Sequence, residues 1–291
     1  VSSTAIPTSS TFAFPPPILD AFRRDKLAVL FGSGLSLARD VTGNFPRWNE
    51  LLNRFWDQAV LSGVWTQAQV TSKRAFCQSG HLSLESMLVE LDAVKIALRN
   101  ARKYQSALNA VFRPRNAESG AVHRALEALG VSVLATTNYD ELYEHAEGHS
   151  ARKAYTWKDA DKVISDIQED RRVLFKIHGT AEHEGTIVLT RTDYAEAVKH
   201  EPYQRVLSFL LQTYTFLLVG YGINDPLDLD LVFSLNAFVF GSSARTHYAL
   251  MKEVSPADRD RWQRDLNVQV VPYQNHDDLP SILSAVRTGR S

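Results

Sequence analysis

The sequence is 291 residues long, with 44% hydrophobic residues, one cysteine and a formal net charge of -1 at pH 7. A chain of this length can bury a large core, and its near-neutral charge does not support nucleic acid as a primary ligand. The single Cys77 excludes an intramolecular disulfide and a zinc site built from several cysteines. No apolar run approaches the roughly 20 residues that span a bilayer. We therefore expect a globular cytoplasmic protein without a membrane segment.

The first 17 residues are rich in Ser, Thr and Pro and include three consecutive prolines, Pro15 to Pro17. Such a run suits neither a helix interior nor a central strand. We predict a flexible or surface-lying arm over residues 1–17, followed by a short helix over residues 18–25.

Short, uniformly apolar runs recur along the chain and are typical of strands buried on both faces. They predict strands at residues 27–31, 131–135, 173–177, 186–189, 216–219, 247–250 and 268–271. Helix-patterned segments lie between several of them, for example residues 119–129 and 203–214. Strands that alternate with helices predict an α/β fold with a doubly wound, mostly parallel, Rossmann-like sheet. In such a sheet, ligands bind at the carboxyl ends of the strands.

One long segment departs from this alternation. From residue 48 to about residue 115 the chain is helix-patterned and poor in strand signals. We predict that this segment is a helical insertion, packed beside the sheet of one domain that runs from residue 18 to residue 291.

The first predicted strand ends in Gly32-Ser33-Gly34-Leu35-Ser36. Glycines permit close backbone approach, and a helix beginning here would point free N–H groups and its positive dipole end at an anion. A dinucleotide pyrophosphate would suit such a turn. The spacing is not G-x-G-x-x-G, so a tight strand-to-helix connection is an equal alternative.

Three further predicted strands end in polar or glycine-rich residues. The residues concerned are Asn138 and Asp140 after the second strand, His178 after a later one, and Gly220, Gly222 and Asp225 after another. Each group has an ordinary structural alternative, because Asn and Asp often cap helices and a lone His is often structural. Their gathering at one edge of the sheet favours a ligand site, in which they would orient ribose hydroxyls or a carboxamide.

The ordered set Gly-Ser-Gly-Leu-Ser, Thr-Thr-Asn-Tyr-Asp, Ile-His-Gly and Gly-Tyr-Gly-x-x-Asp-Pro resembles the sirtuin-like family of NAD-consuming enzymes. The resemblance runs from about Leu27 to Val286. Sirtuins carry Gly-Ala-Gly-x-Ser and Thr-Gln-Asn-Ile-Asp at the first two positions, so the motifs here are diverged.

The resemblance implies a role for each matching residue toward NAD. Asn138 would hold the nicotinamide ribose or the attacking water, Asp140 would help to anchor the carboxamide pocket, and His178 would be the catalytic general base. The remaining residues would bind the dinucleotide: Gly32, Ser33, Gly34 and Ser36 along the phosphates and the nicotinamide-side ribose, and Gly220, Gly222 and Asp225 near the adenosine half.

Departures from the sirtuin pattern indicate the branch of the family. One cysteine cannot supply the four-cysteine zinc ribbon of the protein deacylases. The segment Asn44 to Trp48, followed by the helical insertion, stands where sirtuins carry Gly-Ile-Pro-Asp-Phe-Arg. The chain thus resembles the sirtuin-like NAD hydrolases of bacterial antiphage systems, in which NAD depletion arrests the infected cell. The resemblance implies a metal-free NAD glycohydrolase that releases nicotinamide and ADP-ribose.

Two alternatives stay open at this point. One is an NAD-dependent protein deacylase without the zinc module, and the other is a non-catalytic module that binds NAD or ADP-ribose in an assembly. The presence of both Asn138 and His178 argues against the second. An NAD hydrolase must be restrained in its own cell, so we expect a homo-oligomer, with the helical insertion as its interface. We expect sensing to reside in another chain or in a removed region, with a hexameric ATPase or an Argonaute-type protein as examples.

Overall fold

The computed structural model describes residues 12–77, 83–146, 152–221 and 229–289. Within these ranges, seven strands pair in parallel in the order β3-β4-β2-β1-β5-β6-β7. They are β1 (Leu27–Phe31), β2 (Val133–Thr136), β3 (Lys153–Thr156), β4 (Val173–Lys176), β5 (Thr215–Val219), β6 (His247–Met251) and β7 (Val268–Pro272). The parallel pairing confirms the predicted doubly wound α/β fold.

Helices cover both faces of this sheet. They are α1 (Pro16–Arg23), α2 (Trp48–Leu61), α3 (Gln67–Phe76), α4 (Leu84–Asn100), α5 (Tyr104–Phe112), α6 (Ala121–Leu129), α7 (Ala160–Gln168), α8 (Arg191–Lys199), α9 (Glu201–Thr213), α10 (Leu229–Phe240), α11 (Pro256–Arg261) and α12 (Leu279–Thr288). Over the described residues, no helix combines the length and the apolarity that a membrane span needs.

The central strand shows why the apolar runs are continuous. In β1, Ala28 and Leu30 pack into the core shared with α2, α4 and α5, whereas Leu27, Val29 and Phe31 pack into the core shared with α1, α6 and α12. Successive side chains of a strand point to opposite faces, so β1, with a core on each side, is apolar at every position.

The predicted helical insertion is present as α2 to α5. These four helices contribute large buried side chains, among them Phe55, Trp56 and Tyr104, to the core on one face of the sheet. The insertion therefore rests directly on the sheet that carries the strand-end motifs.

The predicted strand over residues 186–189 is wrong. A short 3₁₀ turn, Glu184–Thr186, leads into an irregular segment there, although Ile187, Val188 and Leu189 are all buried. These three side chains are apolar because they belong to the core. The backbone of Val188 bonds to the Tyr139 hydroxyl and to the His178 carbonyl. An apolar run reports burial and does not by itself specify sheet pairing.

The helix predicted to begin directly after Gly34 is also wrong. Three successive tight turns follow β1, with the N–H groups of Leu35, Ala38 and Val41 each donating to the carbonyl three residues earlier. Because residues 32–41 form turns, no helix dipole points at an anion bound at this strand end. The sequence also gave no prediction of β3, an edge strand in which Lys153 and Ala154 are exposed.

Two observations concern the predicted arm over residues 1–17. Helix α1 begins at Pro16. Its prolines lie in the first turn, where the N–H group that proline lacks would have no partner within the helix. Phe14 is buried against the same core as Ile18 and Phe22.

Candidate functional site

The carboxyl ends of the strands border two adjoining cavities, one of about 500 Å³ and one of about 1080 Å³. We call the smaller one the inner cavity and the larger one the outer cavity. Small-molecule sites commonly enclose about 300–1,000 Å³. The predicted site residues divide between the two, with Gly32, Ser33, Ser36, Asn138, Asp140 and His178 on the inner cavity and Ser33, Gly34 and Gly220 on the outer cavity. Gly222 and Asp225 lie outside the described residues.

Asn138 presents an unsatisfied acceptor at the inner cavity. Its side-chain Nδ2 donates to Ser36 Oγ at 3.1 Å, and its backbone N–H donates to Thr136 Oγ1 at 3.0 Å. The residue is only 4% exposed, and its Oδ1 has no hydrogen-bond partner among the described residues. A buried polar atom without a partner costs about 1–3 kcal/mol, so Oδ1 is suited to accept a hydrogen bond from a bound molecule.

Asp140 determines the direction of this hydrogen-bond chain. Ser36 Oγ donates to Asp140 Oδ2 at 2.7 Å, and the Leu142 N–H donates to Asp140 Oδ1 at 3.1 Å. Burial raises the pKa of the Asp140 carboxyl, against the opposing influence of Lys176 and Ser36. Because the Ser36 hydroxyl proton goes to Asp140, the Ser36 oxygen is left to accept from Asn138, and the Asn138 oxygen turns away from both.

His178 also borders the inner cavity and is 3% exposed. Its imidazole meets the Tyr194 ring edge to face at 5.4 Å and lies 6.4 Å from the Tyr139 ring. The chain turns sharply after it because Gly179 has a φ of +83°, and a Cβ there would lie 2.0 Å from the Thr186 carbonyl oxygen. This turn requires glycine.

The glycines after β1 and β5 pack against each other. The Gly34 N–H donates to the Gly220 carbonyl at 2.9 Å, and a Cβ on Gly34 would lie 2.7 Å from that same oxygen. Gly34 is therefore required because the ends of β1 and β5 approach each other too closely for a side chain. Gly34 and Gly220 both border the outer cavity, whereas Gly32 borders the inner one.

Several residues at the cavities were not predicted from the sequence. Arg47, Leu37 and Tyr221 border both cavities, and Tyr139 borders the inner one. Arg47 precedes α2, where its backbone N–H donates to Glu50 Oε2 at 3.1 Å and so fixes the start of the insertion across the strand end. Its position in the segment that replaces the usual sirtuin sequence was the available signal.

The outer cavity has a different lining. Lys252, Glu253, Tyr273, His276 and Asp277 follow β6 and β7 and border it. The rule that ligands bind at the carboxyl ends of parallel strands could have identified them. In the part of the chain that the structure describes, no group of three or more His, Cys, Asp or Glu side chains could hold a metal ion.

Comparisons with known proteins agree with the motifs. The model of the SIR2-like domain family matches residues 132–271. The chain is 36% identical over 184 residues to the NAD(+) hydrolase ThsA of Bacillus cereus strain MSX-D12, a match that covers 56% of this chain and 38% of that protein. It is 34% identical over 141 residues to the ThsA of Acinetobacter baumannii strain 532279, covering 47% of this chain and 28% of that protein.

The match to the NAD(+) hydrolase ThsA of Enterococcus faecium, at 22% identity, covers 92% of this chain and 56% of that protein. The chain thus spans about a quarter to a little over half of the length of these relatives. A solved Sir2 variant in complex with a deacetylated peptide covers 95% of this chain and 99% of its own, with 11% identity and a TM-score of 0.43. Residues 132–271 thus match the SIR2-like domain family, and the chain is similar to proteins named NAD(+) hydrolase ThsA.

Proposed function

We propose that this chain is an NAD glycohydrolase, which cleaves NAD to nicotinamide and ADP-ribose. One observation carries the proposal: the unpartnered Asn138 oxygen and the His178 imidazole border the same cavity at the strand ends. The names of the relatives, NAD(+) hydrolase, support the same activity. NAD is the substrate, and the residues of the chain can perform the reaction without a metal.

Asn138 is proposed to orient the attacking water or the nicotinamide ribose. Loss of nicotinamide develops positive charge on the ribose, so the site must fix the nucleophile and stabilise that charge. With its Nδ2 bound to Ser36, Asn138 offers Oδ1 as an acceptor in a fixed direction. The Asp140 carboxylate accepts from Ser36 and so keeps the amide from turning over.

His178 is proposed as the general base. A neutral imidazole nitrogen can take a proton from the water or from a ribose hydroxyl as the glycosidic bond breaks. The rings of Tyr139 and Tyr194 limit the orientations of the imidazole, which prepares it for transfer in one direction. Nicotinamide leaves as a neutral molecule from a cationic substrate, so its departure requires no proton donor.

The outer cavity is proposed to hold the adenosine half of NAD. Arg47 borders both cavities and is proposed to bind the pyrophosphate of a dinucleotide that spans them. Among the other residues proposed to bind the dinucleotide, Ser33 borders both cavities, Gly32 the inner one, and Gly34 and Gly220 the outer one.

The test is nicotinamide release from NAD, measured with and without an acetyl-lysine peptide. We expect release without peptide, lost in Asn138→Ala and in His178→Ala and retained in His183→Ala. His183 is an exposed histidine five residues further along the same segment, which makes it a matched control. Release that requires the peptide would indicate a deacylase, and NAD binding without release would indicate a binding module.

We infer in addition that the enzyme acts in the bacterial cytoplasm as an effector of antiphage defence. The support is the motif resemblance to hydrolases whose depletion of NAD arrests infected cells. Restraint of the activity would come from assembly into a homo-oligomer or from a partner such as a hexameric ATPase or an Argonaute-type protein. Light scattering should give a mass above that of one chain, and infected cells carrying His178→Ala should keep their NAD. A monomer at high concentration would contradict the assembly.

A further inference from the structure

The segment that follows β4 has few bonds to the sheet. The Val188 N–H donates to the His178 carbonyl at 3.0 Å, and the Tyr139 hydroxyl donates to the Val188 carbonyl at 2.6 Å. These bonds wrap residues 178–188 into a loop with His178 at one end. The Ala181 N–H also donates to the Tyr139 carbonyl at 2.9 Å, and Trp157 Nε1 donates to the Thr186 carbonyl at 2.6 Å. The helical insertion adds an exposed bond from Arg99 to the Glu184 carbonyl at 3.2 Å and two less exposed supports, from Lys95 and Gln105.

The first support is an ion pair between α4 of the insertion and α8. Lys95 Nζ bonds Asp193 Oδ1, and the two side chains are 7% and 9% exposed. The other carboxylate oxygen of Asp193 accepts from the Leu189 N–H at 3.2 Å and from the N–H and hydroxyl of Thr190 at 3.0 and 2.9 Å. Lys95 therefore holds Asp193, a residue in the first turn of α8.

The position of α8 matters because Tyr194, the residue after Asp193, contacts the proposed base His178. Tyr194 follows Asp193 directly, and its ring meets the His178 imidazole edge to face at 5.4 Å. A shift of Asp193 would move Tyr194 with it, since both belong to the first turn of the same helix.

The second support is Gln105 on α5. Its Nε2 donates to the Ala181 carbonyl at 2.7 Å, and its Oε1 accepts from the Glu184 N–H at 2.8 Å. One side chain thus fastens the loop through both of its amide atoms, three and six residues beyond His178.

We propose that the helical insertion positions His178 for catalysis, with Lys95 and Gln105 as the positioning residues. The inference rests on the proposed function, because it assigns a task to the same imidazole. Neither residue borders the cavities, so neither would touch NAD. Their effect would reach the reaction through the placement of Tyr194 and His178.

A purely structural role makes a different prediction. If Lys95 and Gln105 only stabilise the fold, their loss lowers the melting temperature and leaves kcat per folded molecule unchanged. If they position His178, the ring changes its surroundings and kcat falls in molecules that remain folded, while KM stays close to that of the unaltered protein.

The experiment compares Lys95→Met and Gln105→Leu with the control Lys73→Met. Lys73 pairs with Glu90 at 2.7 Å between α3 and α4, so the control breaks an ion pair of the same insertion that does not reach the loop after β4. We expect about a tenfold loss of kcat in Lys95→Met and Gln105→Leu, with KM changed by less than about twofold, because small displacements of a catalytic group are costly. Lys73→Met should leave both constants unchanged.

A second readout does not depend on activity. In protein with ¹³C-labelled histidine, the His178 ring signal is identified by its absence in His178→Ala. We expect this signal to shift in Lys95→Met and Gln105→Leu and to stay in place in Lys73→Met. A folded Lys95→Met or Gln105→Leu with an unmoved signal and unchanged kcat would overturn the inference, and Gln105→Leu carries the test if Lys95→Met does not fold. Absence of nicotinamide release by the unaltered protein would defeat the proposed function, while the ring signal would still decide the positioning.

Discussion

The inner and outer cavities adjoin but are built differently. Asn138, Asp140 and His178 on the inner cavity are all nearly inaccessible, and hydrogen bonds or ring contacts hold each of them. On the outer cavity, the Lys252 and Glu253 side chains are 40% and 86% exposed, and they approach each other only to 3.9 Å. Fixed, dry groups suit the chemical step, whereas exposed charges suit binding and steering. Changes at the inner cavity should therefore act on kcat, and changes at the outer cavity on KM.

The largest expected effect follows from removing the proposed base. His178→Ala should lower kcat by about 10²- to 10⁴-fold, the usual contribution of general base catalysis. KM should change little, because the imidazole contributes to proton transfer more than to binding. Steady-state nicotinamide release measures both constants. A rise in KM with an unchanged kcat would reverse the assignment of the inner cavity to chemistry.

A glycine beside His178 should be the most sensitive point of the inner cavity for stability. In Gly179→Ala the new Cβ meets the Thr186 carbonyl oxygen at 2.0 Å, and φ is +83°. We expect a loss of about 3 kcal/mol in the free energy of unfolding from left-handed strain and overpacking together. Gly63→Ala is the matched control, since its φ is +70° and nothing lies within 4 Å. Urea unfolding should show about 1 kcal/mol there, from strain alone, and equal losses would mean that the contact with Thr186 is unimportant.

Acid should lower the free energy of unfolding through His123 in α6, a helix that borders the outer cavity. His123 supports the start of α6, where its Nδ1 accepts from the Gly120 N–H at 3.2 Å, and burial lowers the pKa of His123 to about 4. The unfolded chain binds a proton near pH 6.5, so the contribution of neutral His123 is present above that pH and is lost as the pH falls towards 4. The loss by pH 5 is about 2 kcal/mol.

His123→Gln should remove this part of the pH dependence, because glutamine can accept the same backbone hydrogen bond without titrating. Urea unfolding at pH 7 and pH 5 provides the comparison between the two proteins. An identical fall in stability in both would exclude His123 as its source.

Reversal of the hydrogen-bond chain should have a moderate effect. Asp140→Asn replaces an acceptor by a group that can donate to Ser36, so Ser36 can donate to Asn138 and the amide can present its NH₂ to the cavity. We expect kcat to fall by about tenfold with the fold retained, a cost comparable to one misdirected hydrogen bond. Crystallography or NMR of the Asn138 amide would show its orientation. Full activity in this variant would mean that the direction of the chain does not matter.

The smallest expected effect tests the junction of the cavities. Arg47→Ala should raise KM by about threefold to fivefold and leave kcat nearly unchanged, since an exposed cation facing an anion contributes about 1 kcal/mol or less. Added salt should reduce the difference between the two proteins. Arg205→Ala is the control, because Arg205 is an exposed cation that borders neither cavity, and it should leave both constants unchanged. An effect on kcat larger than that on KM would move Arg47 from binding into the chemistry.

The sequence predicted the parts of the fold that depend on burial. Five of the apolar runs became β1, β2, β4, β5 and β6 because strands with a core on each face are apolar along most of their length. The run at 268–271 likewise became β7. The prediction of a strand over residues 186–189 was wrong because a buried loop can be as apolar as a buried strand. Strand β3 was missed because an edge strand does not need a continuous apolar run.

The strand-end motifs also identified Asn138, Asp140, His178 and three residues after β1 that border the inner cavity. The sequence could not show how they are connected, because Ser36 and Asp140 are 104 positions apart and their hydrogen bond depends on the packing of two loops. Arg47 was missed for a related reason. Its place at both cavities depends on how the insertion crosses the strand end, which is a long-range property of the fold.

The separation of chemistry from binding is tested most directly by NAD affinity and nicotinamide release in Asn138→Ala, measured by calorimetry and by product formation on the same preparation. We predict that NAD binds within about threefold of the unaltered protein, while release falls by at least about a hundredfold, because the lost oxygen serves the transition state more than the ground state. Parallel loss of binding and release, or release at the unaltered rate, would contradict the account.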